Sequence, residues 1–396
     1  MSLLLPRTAA RAPAARIARG IESFVALRRD LHRHPELAFQ EHRTAAEIAS
    51  LLAQWGYHVE AGIAGTGVVG TLQRGDGHRG LGLRADMDAL PITERSGAAH
   101  ASRRAGIMHA CGHDGHTAIL LAAAQDLALH GRFDGRLHVI FQPAEEVGAG
   151  ARRMIGEGLF QRYPCDAVFA LHNWPGVPEG RFGFVEGPAM AAIDQALIQI
   201  HGRGGHGAAP HETVDPVVVA AHAITALQTI VSRNVDPLDM AVVTVGAIQG
   251  GEASNVIPDS VALKLTARSY RPEARALLQR RIPALVQAQA ESFGAVAEVE
   301  YRLGFPSVVN HVAETAFARG VAAEALGAAA VLAEFRPRTA SEDFAFMLEA
   351  CPGSYLFLGA GEGPPLHSPS YDFNDALILP GAIFWSALAQ AFLSPS

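Results

Sequence analysis

At 396 residues, 49% apolar and 18% charged, the chain has ample material for a packed interior and is long enough for two or three domains, two fitting better. Its formal charge of -7 argues against a nucleic-acid or membrane-surface partner, and no basic run offers such a footprint. Cys111, Cys165 and Cys351 are odd in number and widely spaced, which is not a disulfide framework and fits a reducing compartment.

The opening MSLLLPRTAARAPAARIARG holds an apolar stretch far shorter than a signal-peptide core, so a frayed N-terminus on a cytoplasmic protein is expected, and no later run is expected to span a bilayer. Residues 20–56 then read as two amphipathic helices, broken at Pro35 and ended by Gly56. GVVGTLQR, GLGLRADM, RLHVIFQP and AVFALHNW have strand composition, while DGHTAILLAAAQDLALHG and GARRMIGEGLF have helical spacing. Such alternation predicts an α/β layer with parallel strands. GTGVVG at 65–70 matches a dinucleotide-binding glycine pattern, but it runs on as a strand where that motif opens a helix, so hairpin glycines are expected. Lys264 is the single lysine, which excludes a P-loop, and neither GxSxG nor HExxH occurs.

From about Asp194 the pattern becomes strand, helix, strand, strand, helix, strand, the order of a ferredoxin-like unit. The helix and strand alternation resumes after Phe305. The expected organisation is a discontinuous α/β domain over 1–188 and 304–396, with an inserted α+β domain over 189–303.

Chemistry gathers at the strand ends. In MHACGHDGH, Cys111 and His113 lie two apart just before a helix, and thiolate and neutral imidazole both bind transition metals, although a cysteine taken alone is more often a small buried apolar residue. FQPAEE sets Glu145 and Glu146 side by side after an apolar strand, where they repel unless a cation or a proton intervenes. A cation would leave the second carboxylate free to serve as general base. His172 in ALHNW also follows an apolar strand, and His367 lies in the Pro-rich loop PPLHSPSYDF. Asp86 and Asp88 could ligate, orient a ligating histidine, or cap a loop. His206, in the open loop GRGGHGAAPH, suits reaching a substrate.

These landmarks, with LRRDLHRHPELAFQE, RADMDALPI, SNVIPD and SEDF, occur in the order found in the metal-dependent aminoacylase/carboxypeptidase amidohydrolases. From about residue 22 the chain resembles their hippurate hydrolase, N-acyl-amino-acid amidohydrolase and auxin-conjugate hydrolase branch. The resemblance implies a zinc-peptidase-like α/β fold with a central, mostly parallel sheet, plus an inserted ferredoxin-like lid or dimerisation domain. It also implies a two-metal site of Cys111, His113, Glu146, His172 and His367, in which Cys111 bridges where related carboxypeptidases place an aspartate. Arg84 stands where those enzymes carry a histidine ligand, so neither it nor Asp86 is expected to ligate.

By the same resemblance Glu145 is the general base on a metal-bound water. His206 is an oxyanion donor reached across a dimer interface, and Asn255 and Arg268 face the substrate. The expected reaction is amide hydrolysis of an N-acyl amino acid, hippurate-like or N-acetyl, with manganese or zinc, and nickel or cobalt as further options, in a homodimer or homotetramer. Dipeptide cleavage and N-acetyl-diaminopimelate deacetylation stay open, as does a catalytically silent metal-binding dimer. A closed structural zinc site is disfavoured, because paired CxxC or HxxxH spacing is absent.

Overall fold

The structure, a computed structural model, describes residues 11–394, with side chains from residue 14. The chain divides into two compact units: Met1–Gly187 with Val309–Arg336 and Asp343–Ser396, and Pro188–Val308 with Pro337–Glu342.

In the first unit, α1 (Arg11–Arg33) begins earlier than the sequence suggests. The expected fraying falls partly on residues 1–10, outside the described residues, but from Arg11 the segment is helical. Ile17, Phe24 and Leu31 recur at heptad spacing on its buried side, and Arg16 Nε meets Asp126 Oδ1 at 3.1 Å, so this stretch has a reason to stay helical. After Pro35 comes α2 (His42–Gln54), then β1 (His58–Ile63) and β2 (Gly67–Arg74), an antiparallel hairpin in whose turn and second strand the GTGVVG glycines lie. Next are β3 (Gly80–Asp86), α3 (His113–His130), β4 (Gly135–Gln142), α4 (Gly150–Gly156) and β5 (Ala167–Trp174). The single helix expected over 150–160 stops at Gly156, and a new turn, Leu159–Arg162, starts after Gly158, whose φ of +88° breaks the run.

Seven strands form the sheet in the order β1, β2, β4, β3, β5, Gly353–Gly359, Phe182–Gly183. The α/β alternation accounts for its centre, since β4, β3, β5 and Gly353–Gly359 are mutually parallel. The hairpin on one side and the two-residue edge strand on the other pair antiparallel, which makes the sheet mixed. All seven residues of β3 are buried, as a central parallel strand covered on both faces requires. Register sets Asp86 opposite Gln142, and Leu171 and His172 of β5 beside Leu356 and Phe357. The carboxyl ends of these strands therefore share one edge, the usual location of ligand sites in open α/β sheets.

The second unit carries a four-stranded antiparallel sheet in the order Ala241–Gln249, Ser260–Ser269, Ala192–His201, Val296–Leu303. That is the ferredoxin-like arrangement. Helices Pro216–Arg233 and Pro272–Ser292 cover its apolar face, where Ile198, Ile200, Leu263 and Leu265 meet Leu227, Ile230, Leu278 and Ile282. Pro337–Glu342 also belongs to this unit, outside the span read from the sequence, because Arg338 N–H donates to Ala189 O and Ala191 N–H to Ala340 O. The segments Pro216–Arg233 and Asp375–Phe392 reach the length and mean hydropathy of a bilayer span, which the sequence reading did not anticipate. Each supplies a buried face to its own unit's hydrophobic core.

Candidate metal centre

The 26 residues 87–112, between β3 and α3, carry no helix or strand, yet Met87, Asp88, Ala89, Met108, His109, Ala110 and Cys111 are all buried. A loop of this length inside a compact unit points to function. It delivers Cys111 and His113 to the sheet edge. Gly112 between them has φ +94°, and a Cβ there would meet Asn173 Oδ1 at 2.3 Å and Tyr371 Oη at 2.7 Å, so only glycine allows this approach.

Potential donor atoms of Cys111, His113 and His172 lie within 4.8 Å of one another, and so do those of Cys111, Glu146 and His367. Cys111 is common to both groups, so the five side chains expected at a two-metal site gather into one cluster. His172 Nδ1 donates to Asn173 O at 2.6 Å, which leaves the Nε2 lone pair facing Cys111 Sγ at 3.3 Å. His113 Nδ1 donates to Asp88 O at 2.9 Å, which likewise frees its Nε2 as a lone pair. His367 sits at φ +63°, unusual for a residue with a side chain, and its Nε2 lies 3.4 Å from Glu146 Oε2.

A third possible group, Asp86 with His113 and His116, is already committed. Asp86 Oδ2 receives Arg84 Nη1 at 2.6 Å, and Oδ1 pairs with His116 Nδ1 at 2.6 Å. Asp88 holds backbone, since Oδ1 accepts from Glu145 N–H at 3.1 Å and Oδ2 from Glu146 N–H at 3.0 Å. Both aspartates thus support the cluster from behind. Sequence reasoning did not single out His116 or Asn173; the closely spaced polar residues of GHDGH and LHNW were the only signal for them.

The electrostatics call for positive charge at the centre of the cluster. His113 Nε2 and Glu146 Oε1 are buried, 3.8 Å apart, and neither has a hydrogen-bond partner among the described residues. A lone pair facing a carboxylate oxygen is repulsive unless a positive ion or a proton stands between them. Burial alone would lower the His113 pKa, but Asp86, Asp88 and Glu146 raise it to about 10, so a proton takes the place in the metal-free chain. Burial, then Glu146, Glu145 and Asp86, push the Cys111 thiol far up, the expected behaviour of a ligand whose cation is missing. His172 is held neutral, chiefly by burial and by neighbouring His116. Glu145 is buried beside the cluster, its Oε2 4.0 Å from His113 Nε2.

In the second unit, His206 and Asn255 come together, since His206 pairs with Val256 across a short antiparallel ladder and Gly207 N–H donates to Asn255 O. His206 Nδ1 accepts from Ala208 N–H at 3.0 Å, which puts the ring proton on Nε2, the form that donates. Arg268 Nη1 is held by Thr339 O at 2.8 Å and Ser341 Oγ at 3.0 Å.

Soft and anionic donors at the carboxyl ends of the sheet's parallel central strands define a candidate centre for divalent cations. Residues 82–391 match peptidase family M20/M25/M40, and the chain belongs to that family. It is 41% identical over 370 residues to the hippurate hydrolase of Campylobacter jejuni, covering 93% of this chain and 96% of that one. With the N-acetyl-L-cysteine deacetylase of Bacillus subtilis the identity is 40% over 373 residues, covering 94% and 88%. Among solved structures, a Bacillus subtilis protein described as a dinuclear metal-binding peptidase of the M20 family superposes with a TM-score of 0.82 at 32% identity, covering 97% and 99%.

Proposed function

We propose that this amidohydrolase cleaves the amide bond of N-acyl amino acids, hippurate-like or N-acetyl, releasing a carboxylic acid and a free amino acid. The observation that carries the reading is Cys111 standing in both donor groups with Glu145 beside them. Relatives named for hippurate hydrolysis and for N-acetyl-L-cysteine deacetylation support the substrate class.

Cys111, His113, Glu146, His172 and His367 would hold two divalent cations, manganese or zinc. When bound, such ions bring the pKa of water towards neutrality and polarise a carbonyl. Glu145 takes the proton of the attacking water and returns it to the departing amine. His206, with its proton on Nε2, donates to the oxygen on which charge develops, in a homodimer that delivers it from the partner copy. Asn255 lies beside His206 on the substrate side. Arg268, its plane fixed by Thr339 and Ser341, would offer a fork to the substrate carboxylate.

The test is metal content measured with hydrolysis of hippurate and a panel of N-acetyl amino acids, for wild type and Glu145→Gln. The variant should retain metal and lose about 10²–10⁴-fold in kcat. Full activity in Glu145→Gln would remove Glu145 as the base, and no hydrolysis of any N-acyl amino acid would sink the substrate class.

A further inference from the structure

HPELAFQE, residues 34–41, has no task in the chemistry above, and its last residue is a fully buried carboxylate. Among the described residues no cationic side chain pairs with Glu41; three neutral donors do. Glu41 Oε1 accepts from Phe39 N–H at 3.0 Å and from Ala144 N–H at 2.9 Å, and Oε2 accepts the Thr66 hydroxyl at 2.5 Å. Both backbone donors belong to residues in the left-handed region, Phe39 at φ +61° and Ala144 at φ +54°. Side-chain-bearing residues resist that conformation, and it persists only where the surroundings impose it.

Ala144 directly precedes the two glutamates. Its N–H is held by Glu41, and the next two, of Glu145 and Glu146, are held by the two oxygens of Asp88. Three successive amides after β4 are thus clamped by two buried carboxylates from separate segments. Asp88 is tied to the cluster through His113. Glu41 joins the glutamates through the backbone turn, by way of the Ala144 amide.

We infer that Glu41 is a positioning residue: by holding the Ala144 amide it fixes the left-handed turn that aims Glu145 and Glu146 at the reacting centre. This rests on the roles proposed above for those glutamates. The role is one of geometry and not of charge, because glutamine can reproduce the contacts, its carbonyl oxygen accepting both N–H groups while its NH2 donates to Thr66.

The experiment uses the full chain with Glu41→Ala, Glu41→Gln, and Glu41→Ala combined with Ala144→Gly. Hydrogen exchange is read with metal removed, and steady-state hydrolysis with metal restored. Glu41→Ala should speed exchange at amides 144–146 and lower kcat about 10- to 100-fold, with KM within about threefold, the scale expected for a misplaced catalytic group. Glu41→Gln should stay near wild type in both readouts. Adding Ala144→Gly should recover roughly 5- to 30-fold of the loss, the equivalent of the left-handed penalty that glycine escapes.

Unchanged exchange at 144–146 in Glu41→Ala overturns the inference whatever the substrate. So does an equal loss of kcat in Glu41→Gln and Glu41→Ala. A wild-type enzyme inactive on every N-acyl amino acid overturns the proposed function instead, and the exchange readout still decides on Glu41. If Glu41→Ala does not fold, Thr66→Val removes one of the three donors and must show the same change in exchange at smaller amplitude; no change overturns the inference.

Discussion

Cys111 brings charge to the cluster only as a thiolate, and its surroundings oppose ionisation, since burial and then Glu146, Glu145 and Asp86 all raise its pKa. Cations are what reverse that balance, so ligand and metal depend on each other. Cys111→Ser should bind less metal than wild type at a fixed free-metal concentration, because an alcohol ionises with still more difficulty. Cys111→Asp should bind more than Cys111→Ser, since a carboxylate restores the charge; equal occupancy in all three would remove Cys111 from the site. A second titrating group, His32, is fully buried between Asp114 Oδ2 at 2.8 Å and Glu94 Oε1 at 3.3 Å. Burial would lower its pKa, but the bonds to Asp114 and Glu94 raise it to about 9 from 6.5. A raised folded value means that the charged ring stabilises the native state fully below about pH 6.5 and loses that contribution as pH rises through about 9. His32→Gln should therefore cost about 3 kcal/mol near pH 6 and little at pH 10 in urea unfolding. An equal cost at both values would mean that the folded ring is neutral.

At the scale of the element, α3 and the strands on either side of it were legible in the sequence because each is an apolar run with a clear end, long enough for a helix in α3 and short enough for a buried strand in β3 and β4. What their ends do to one another was not. Sequence order gives no hint that β4 lies between β2 and β3, which sets Gln142 and the FQPAEE turn beside Asp86. Nor does local pattern reveal that Asp88 and Glu41 clamp that turn, since donors and acceptors 57 and 103 residues apart meet only after the sheet assembles. Gly112 lies within MHACGHDGH, but its left-handed φ and its closeness to Asn173 and Tyr371 depend on β5 and the 365–373 loop. That closeness yields a prediction for the start of α3. Gly112→Ala adds the left-handed penalty of roughly 1–2 kcal/mol to a clash costing about 1–3 kcal/mol. Asn173 Oδ1 also meets His116 Nε2 at 2.7 Å, so yielding to the new methyl group would disturb the ring that buttresses Asp86. Chemical denaturation of the metal-free chain should show the full loss; a change under about 1 kcal/mol would mean that the loop moves aside freely.

For the whole molecule, composition and the switch from α/β alternation to a ferredoxin-like order made the broad architecture readable. The return of Pro337–Glu342 to the second unit was not readable, because six residues without periodicity carry no local signal. The five clustered donors all lie in the first unit, on segments that follow β3 and β4, within β5, and after Gly353–Gly359. Ions that bind only the folded chain stabilise it by mass action, by about 2.7 kcal/mol at a hundred times the dissociation constant for a single site. Protection gained on binding should be greatest where loops without regular hydrogen bonding are pinned. Hydrogen exchange with and without chelator should therefore change most over residues 87–112, 143–149 and 361–368. The strands Ala192–His201 and Ser260–Ser269, bonded to each other in a separate sheet around a core of their own, should change little. An equal change in both sheets would show that the cations act on the folding of the entire chain and do not selectively pin the strand-end loops.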